Sequence, residues 1–160
     1  MTQSPDSISH YDVLSLLGTG GAGRVYKARD RRLGRVVALK RLPENLMDHP
    51  TAVQLFLSEA RAAAAVNHPN IATIYEVDEA GDVLFLAMEL LEGRTLKQLI
   101  QEKGSLSPKR AARIVEQVAS ALDYAHQHGF VHRDIKPANI FVGKDDRTTL
   151  ADFGIAKAAS

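Results

Sequence analysis

Asp134, Lys136 and Asn139 fall within the run H-R-D-I-K-P-A-N at 132–139, and Asp152 opens D-F-G at 152–154. A carboxylate at Asp134 can orient a hydroxyl and accept its proton. Lys136, two residues on, can neutralise charge on a transferring phosphoryl group. Asn139 offers an amide carbonyl and Asp152 a carboxylate, both hard oxygen ligands that suit Mg²⁺. A base, a cation and two oxygen ligands are enough for phosphoryl transfer, which is largely positioning and charge stabilisation. Each residue taken singly reads as ordinary surface polarity, and it is their joint spacing that points to a site.

A second group lies earlier in the chain. Gly18, Gly20 and Gly23 form G-x-G-x-x-G within G-T-G-G-A-G, with Gly21 between them and Val25 just after. Glycines let a backbone approach phosphates closely and turn without Cβ clashes. A dinucleotide fingerprint needs a helix after the glycines and an acid about 20 residues on. Here β-like sequence follows, and 39–43 holds no acid. No G-K-[ST] follows, which excludes a Walker A loop. A glycine-rich hairpin turn with no ligand stays open on this pattern alone.

Lys40 closes the apolar run Val37, Ala38, Leu39. Such a lysine is commonly a solvated strand end. Glu59, however, lies three residues from Phe56 and four from Ala63, on the apolar stripe of an expected helix. A carboxylate facing a core is costly unless paired, and Lys40 is its natural partner. The pair would hold the ammonium within reach of α- and β-phosphates. The alternative is a Glu59 that snorkels from the edge of the stripe. His132 reads as a packing residue supporting the Asp152 turn. His126 and His128 are spaced i, i+2 on a helix and point apart, which argues against a metal cluster.

The elements that must position these residues follow from periodicity. Strands are expected at 11–17, 24–29 and 35–41, forming an antiparallel meander. A helix is expected over 50–67, with Phe56, Ala60 and Ala63 on one face, ended by His68-Pro69-Asn70. Two more strands are expected at 71–77 and 83–88, joined by a turn at 79–82. A brief helix at 95–102 precedes a longer one with Ser107 as N-cap and Pro108 at its first position. Ile114, Val118, Leu122 and Ala125 form its expected buried stripe, and Gly129 its C-terminal cap. Short strands are expected at 140–142 and 148–151.

Bulk properties narrow the class. The 160 residues are 45% hydrophobic and 24% charged, a globular composition. The net charge of +1 argues against a basic nucleic-acid surface. No run of about 18 apolar residues exists, so no membrane segment is expected in this chain. Residues 1–10 are polar, lack the apolar stretch of a signal peptide, and read as a short disordered leader. There is no cysteine, which fits a cytoplasmic protein.

With these residues in hand, the chain from Tyr11 onward resembles the eukaryotic-type protein kinases, whose signature set is the glycine loop, the V-A-x-K lysine, the helix glutamate, H-R-D with its asparagine, and D-F-G. Lys136 resembles the serine/threonine branch, and the wording G-T-G-G-A-G-R-V-Y-K-A-R-D resembles bacterial members. The resemblance implies an α+β, protein-kinase-like two-lobed fold with ATP between the lobes. It implies an N-lobe at 11–88 with five antiparallel strands and one helix, and a hinge at 89–93. A truncated, mainly helical C-lobe at 94–160 would end just after Asp152, Phe153 and Gly154.

It further implies ATP and Mg²⁺ as cofactors and a protein Ser/Thr hydroxyl as acceptor. Catalytic roles fall to Asp134, Lys136, Lys40 and Glu59, and metal ligation to Asn139 and Asp152. Nucleotide contacts fall to Leu17, Gly18, Gly20, Gly21, Gly23, Val25, Ala38, Lys40, Met88 as gatekeeper, Glu89, Leu91 and Phe141. Arg133 would bind an activation-segment phosphate in members that use one. Ala22 replaces a larger residue at the loop tip, so looser phosphate cover is expected. The chain lacks the later C-lobe helices that would cover Ile114, Val118 and Leu122. At about 1.5–3 kcal/mol per buried large apolar side chain, the first lobe is expected to fold better than the second. Three readings follow: a Ser/Thr kinase fragment, a non-catalytic ATP-binding or interaction module, and a small-molecule phosphotransferase of similar fold.

Overall fold

The computed structural model describes residues 6–20 and 23–151. Residues 1–5 of the expected leader, Gly21 and Ala22, and Asp152, Phe153 and Gly154 lie outside them. The described chain divides into two compact units, 6–64 with 74–90, and 65–73 with 91–151.

The first unit is built on a six-stranded antiparallel sheet. Its strands are β1 (Ser7–Ile8), β2 (Tyr11–Gly20), β3 (Gly23–Asp30), β4 (Val36–Arg41), β5 (Ile74–Ala80) and β6 (Val83–Glu89). Their order is β1-β2-β3-β4-β6-β5. The meander appears as expected, and β1 adds a sixth strand to the five. This corrects the disordered leader at its C-terminal end. Ser7 pairs with Asp12 and Ile8 with Tyr11, and Ile8 is buried among Tyr11, Tyr26, Val37 and Phe85. One apolar residue in a polar stretch carries no periodicity, so a two-residue strand leaves no signal.

Side chains alternate across the sheet. Tyr26, Ala28, Val37, Leu39, Phe85 and Ala87 form one buried face. Val25, Ala38, Lys40 and Met88 fall on the other, and the register sets Val25 opposite Lys40 and Ala38 opposite Met88. The Tyr11 hydroxyl donates to Glu76 Oε2 at 2.5 Å, which ties β2 to the far edge strand and curls the sheet. Burial, and then the Glu76 carboxylate, raise the Tyr11 phenol well above its usual range.

Helix α1 (Pro50–Ala64) buries Val53, Phe56, Leu57, Ala60 and Ala63, the expected face, and packs on β5. It ends three residues earlier than expected. The next segment, 65–73, belongs to the second unit, which corrects the continuous N-lobe block at 11–88. Ile71 and Ala72 do not enter β5. They run beside Leu150, with the Ala72 amide donating to the Leu150 carbonyl at 2.9 Å and the Leu150 amide to the Asn70 carbonyl at 2.8 Å.

The second unit carries α2 (Leu96–Lys103), α3 (Pro108–Gln127) and a small sheet of β7 (Arg94–Thr95), β8 (Ile140–Val142) and β9 (Thr148–Leu150). Thr95 and Gln98 form a reciprocal capping box on α2. Ser107 caps α3, accepting from the Arg110 amide at 3.3 Å, and Gly129 follows with φ 75°, as expected. The buried stripe of α3 is Ile114, Val118, Ala121 and Ala125. Leu122 is half-buried, a correction that follows from the 4-3-4 spacing centring the stripe on Ala121. Among the described residues no helix is long and apolar enough to cross a membrane.

Candidate active site

In the first unit the glycine segment is the β2–β3 hairpin. Gly18 pairs with Val25 and Gly20 with Gly23. The register slips by one residue at Leu17, a bulge that leaves its side chain 51% exposed. The three glycines have different reasons to be glycine. Gly23 has φ 111°, and a Cβ there would stand 2.1 Å from the Arg41 carbonyl oxygen, so β4 itself requires it. A Cβ at Gly18 or Gly20 meets nothing within 4 Å. Nothing in the described fold requires glycine at those two positions, around which the space is open. Gly21 lies outside the described residues.

Lys40 is half-buried on the face shared with Val25, Ala38 and Met88. Glu59 is also half-buried, at the edge of the buried stripe of α1 beside Phe56, Ala60 and Ala63. Met88 is buried and Glu89 half-buried at the end of β6. Leu91 and Phe141, both half-buried, belong to the second unit.

In the second unit Asp134, Lys136 and Asn139 come together on a loop with little regular backbone bonding. Asn139, 6% exposed, donates from Nδ2 to the Asp134 carbonyl at 2.9 Å and to Asp134 Oδ2 at 3.1 Å. Lys136 Nζ lies 3.2 Å from the same Oδ2. With both Nδ2 protons committed, the remaining polar atom of the Asn139 side chain is Oδ1, and an amide carbonyl is a fitting Mg²⁺ donor. The Asp134 side chain keeps 30% exposure and Lys136 53%, so both can be reached from solvent. Asp152 lies outside the described residues, as does the metal pair it would complete. Among the described residues no group of three His, Cys, Asp or Glu could hold a metal.

His132 explains why the loop takes this shape. It is 1% exposed, accepts from the Asp134 amide at Nδ1 at 3.1 Å, and lies 3.0 Å from the Ala151 carbonyl at Nε2. An amide donor at Nδ1 places the ring proton on Nε2, so His132 is neutral and donates to Ala151. The loop is thereby tied to Ala151, and the turn that His132 is expected to support lies outside the described residues. The Ala151 amide adds a 2.9 Å bond to the Asn139 carbonyl. Between these anchors Arg133 has φ 65°, a left-handed conformation that costs a non-glycine residue about 1–3 kcal/mol. The flanking bonds hold it there.

Three features escape the sequence reading. Gly93, with φ 109°, lies so close to β8 that a Cβ would meet the Val142 carbonyl at 2.5 Å. Asp146, in the β8–β9 turn, receives Arg110 at 2.8 Å and Arg113 at 2.9 Å. The Arg110 hydrogen bond holds its carboxyl below the usual carboxylate range, with Arg113 adding to the effect. Arg110 and Arg113 at i, i+3 on α3 were the available signal. Asn70 and Gln117, described below, had none.

Residues 11–160 match the family described as protein kinase domain. The chain belongs to that family. Serine/threonine-protein kinase PknB of Mycolicibacterium smegmatis is 40% identical over 162 residues, spanning 99% of this chain and 26% of the relative. Serine/threonine-protein kinase PrkC of Bacillus subtilis is 43% identical over 150 residues, spanning 94% of this chain and 23% of the relative. The chain thus spans about a quarter of the length of these kinases. Among solved structures, the M. tuberculosis PknI kinase domain matches with a TM-score of 0.83 at 34% identity, over 92% of this chain and 59% of that one. The protein-kinase-like fold and the bacterial Ser/Thr kinase kinship follow from these matches.

Proposed function

We propose that the protein carrying this chain transfers the γ-phosphoryl group of ATP to a Ser or Thr hydroxyl of a protein substrate, in a cytoplasmic setting. The observation that carries this reading is the Asp134 carboxylate, fixed through Oδ2 by Asn139 and Lys136 and still open to solvent. Asp134 orients the substrate hydroxyl and takes its proton as the oxygen attacks phosphorus. Lys136 offsets charge on the transferring group. Lys40, paired with Glu59, holds the α- and β-phosphates, with Gly18, Gly20, Gly21 and Gly23 giving backbone access to them. Leu17, Val25, Ala38 and Phe141 supply apolar contact for adenine, Met88 limits its depth, and Glu89 and Leu91 offer backbone groups. Asn139 and Asp152 would hold Mg²⁺, which when bound neutralises phosphate charge.

Replacing Asp134 by Asn in the full-length protein keeps the side-chain shape and removes the base. Turnover is expected to fall about 10²–10⁴-fold, with the Mg-ATP thermal shift retained. Phosphorylation at the unaltered rate would overturn the reading. A thermal shift without any transfer in the unaltered protein would favour a non-catalytic ATP-binding module instead.

A further inference from the structure

Gln117 stands midway along α3, half-buried and next to Val118 of the buried stripe. Its side-chain amide is bonded at every position it has. Oε1 accepts from the Thr148 amide at 2.9 Å and from Asn70 Nδ2 at 3.1 Å. Nε2 donates to the Asp146 carbonyl at 2.9 Å and to the Arg113 carbonyl at 3.1 Å. A primary amide has two donor and two acceptor positions, so this one is saturated. Its orientation is also determined, since a flip would set NH₂ against the Thr148 amide and oxygen against two carbonyls. Asn70 Nδ2 also donates to the Thr148 carbonyl at 2.8 Å, so both backbone groups of Thr148 are held by side chains.

Thr148 is fully buried and begins β9, the strand that leads to Ala151. Downstream, Leu150 is bonded on both sides to 70–72, and Ala151 to Asn139 and His132. The path from Gln117 to the catalytic loop is therefore one short, fully bonded strand. Its pairing with β8 is only three residues long, so the side-chain bonds at Thr148 add to what sets its register. Resting on the kinase reading above, we propose that Gln117 is a positioning residue: it fixes the register of β9 against 70–72, and so the place of Ala151 beside Asn139.

The test uses Gln117→Met, which keeps length and removes hydrogen bonding, in the full-length protein. Ile114→Val, a buried change on the same helix, serves as a control for simple loss of stability. Residue-resolved amide exchange should show Leu150 and Ala151 exchanging about tenfold faster in Gln117→Met, with β2–β4 amides unchanged and with no such local effect in Ile114→Val. The Mg²⁺ concentration for half-maximal transfer should rise about tenfold in Gln117→Met only. Unchanged exchange at Ala151, or an effect no larger than in Ile114→Val, overturns the proposal. If Gln117→Met fails to fold, Gln117→Glu, which keeps the acceptor oxygen and loses both donors, carries the same comparison at Ala151. If the unaltered protein transfers no phosphate, the kinase reading fails while the exchange at Ala151 still decides the role of Gln117.

Discussion

Val25, Ala38, Lys40 and Met88 leave one face of a regular antiparallel sheet, whereas Asp134, Lys136 and Asn139 leave a loop with little regular pairing. The two regions hold their candidate residues by different means. In the first, strand register sets the spacing, and the apolar core on the opposite face, from Ile8 to Ala87, holds the register. Many small contributions are spread over many residues, so no one of them is decisive. In the second, a few buried or partly buried polar bonds set the geometry: His132 to Ala151 and to the Asp134 amide, and Asn139 to Asp134. Spread-out support suits the proposed binding surface, while pinning one by one suits the groups proposed to meet a reacting atom.

The sharpest way to break this contrast is His132→Phe. An aromatic ring is kept, but the Ala151 carbonyl and the Asp134 amide lose their partner. Each buried group left unsatisfied costs about 1–3 kcal/mol. The second unit should lose exchange protection and melt earlier, and turnover should fall with it, while β2–β4 amides keep their protection. Equal loss in both units would show that the loop is not the separately pinned region described here.

A smaller effect is expected within the first unit, where the contrast can be drawn between two glycines. Gly23→Ala forces a Cβ toward the Arg41 carbonyl at a positive φ and should destabilise by about 1–3 kcal/mol, visible in denaturant titration without ligand. Gly18→Ala has open space around it and should change stability by less than about 0.5 kcal/mol. Its effect should instead be weaker ATP binding. If the two variants lose similar stability, the division between a structural and a ligand-facing glycine fails.

How much of this could be read from the chain beforehand depended on range. The strands of the meander and the faces of α1 and α3 carry local periodicity, and the caps at Ser107 and Gly129 carry local chemistry, so they were legible. The residues of the H-R-D-I-K-P-A-N run were legible as a set because they are close in sequence. What holds them was not. Asn70 meets Thr148 across 78 positions, and no spacing rule joins a glutamine in α3 to both. The transfer of 65–73 to the second unit was hidden for the same reason. Ile71 and Ala72 are as β-prone as the residues of β5, and it is the Asn70–Leu150 bonding that diverts them. Ala121 replaced Leu122 in the core because the position on the helix outweighed side-chain size.

The smallest predicted effect runs against intuition and tests the core that supports the first region. Tyr11 and Tyr26 share that core, and both are buried. Tyr11, near the sheet edge, finds Glu76 for its hydroxyl. Tyr26, on β3 between β2 and β4, has no hydrogen-bond partner for its hydroxyl among the described residues. A buried hydroxyl without a partner carries its desolvation cost uncompensated. Tyr26→Phe should therefore be neutral or stabilising by up to about 1 kcal/mol, whereas Tyr11→Phe should be destabilising by a similar amount because it removes the hydroxyl bonded to Glu76. Paired denaturant titrations of the two variants read the difference directly. A loss of stability in Tyr26→Phe equal to that in Tyr11→Phe would mean that this core, like the catalytic loop, depends on a polar bond, and the distinction between the two regions would weaken accordingly.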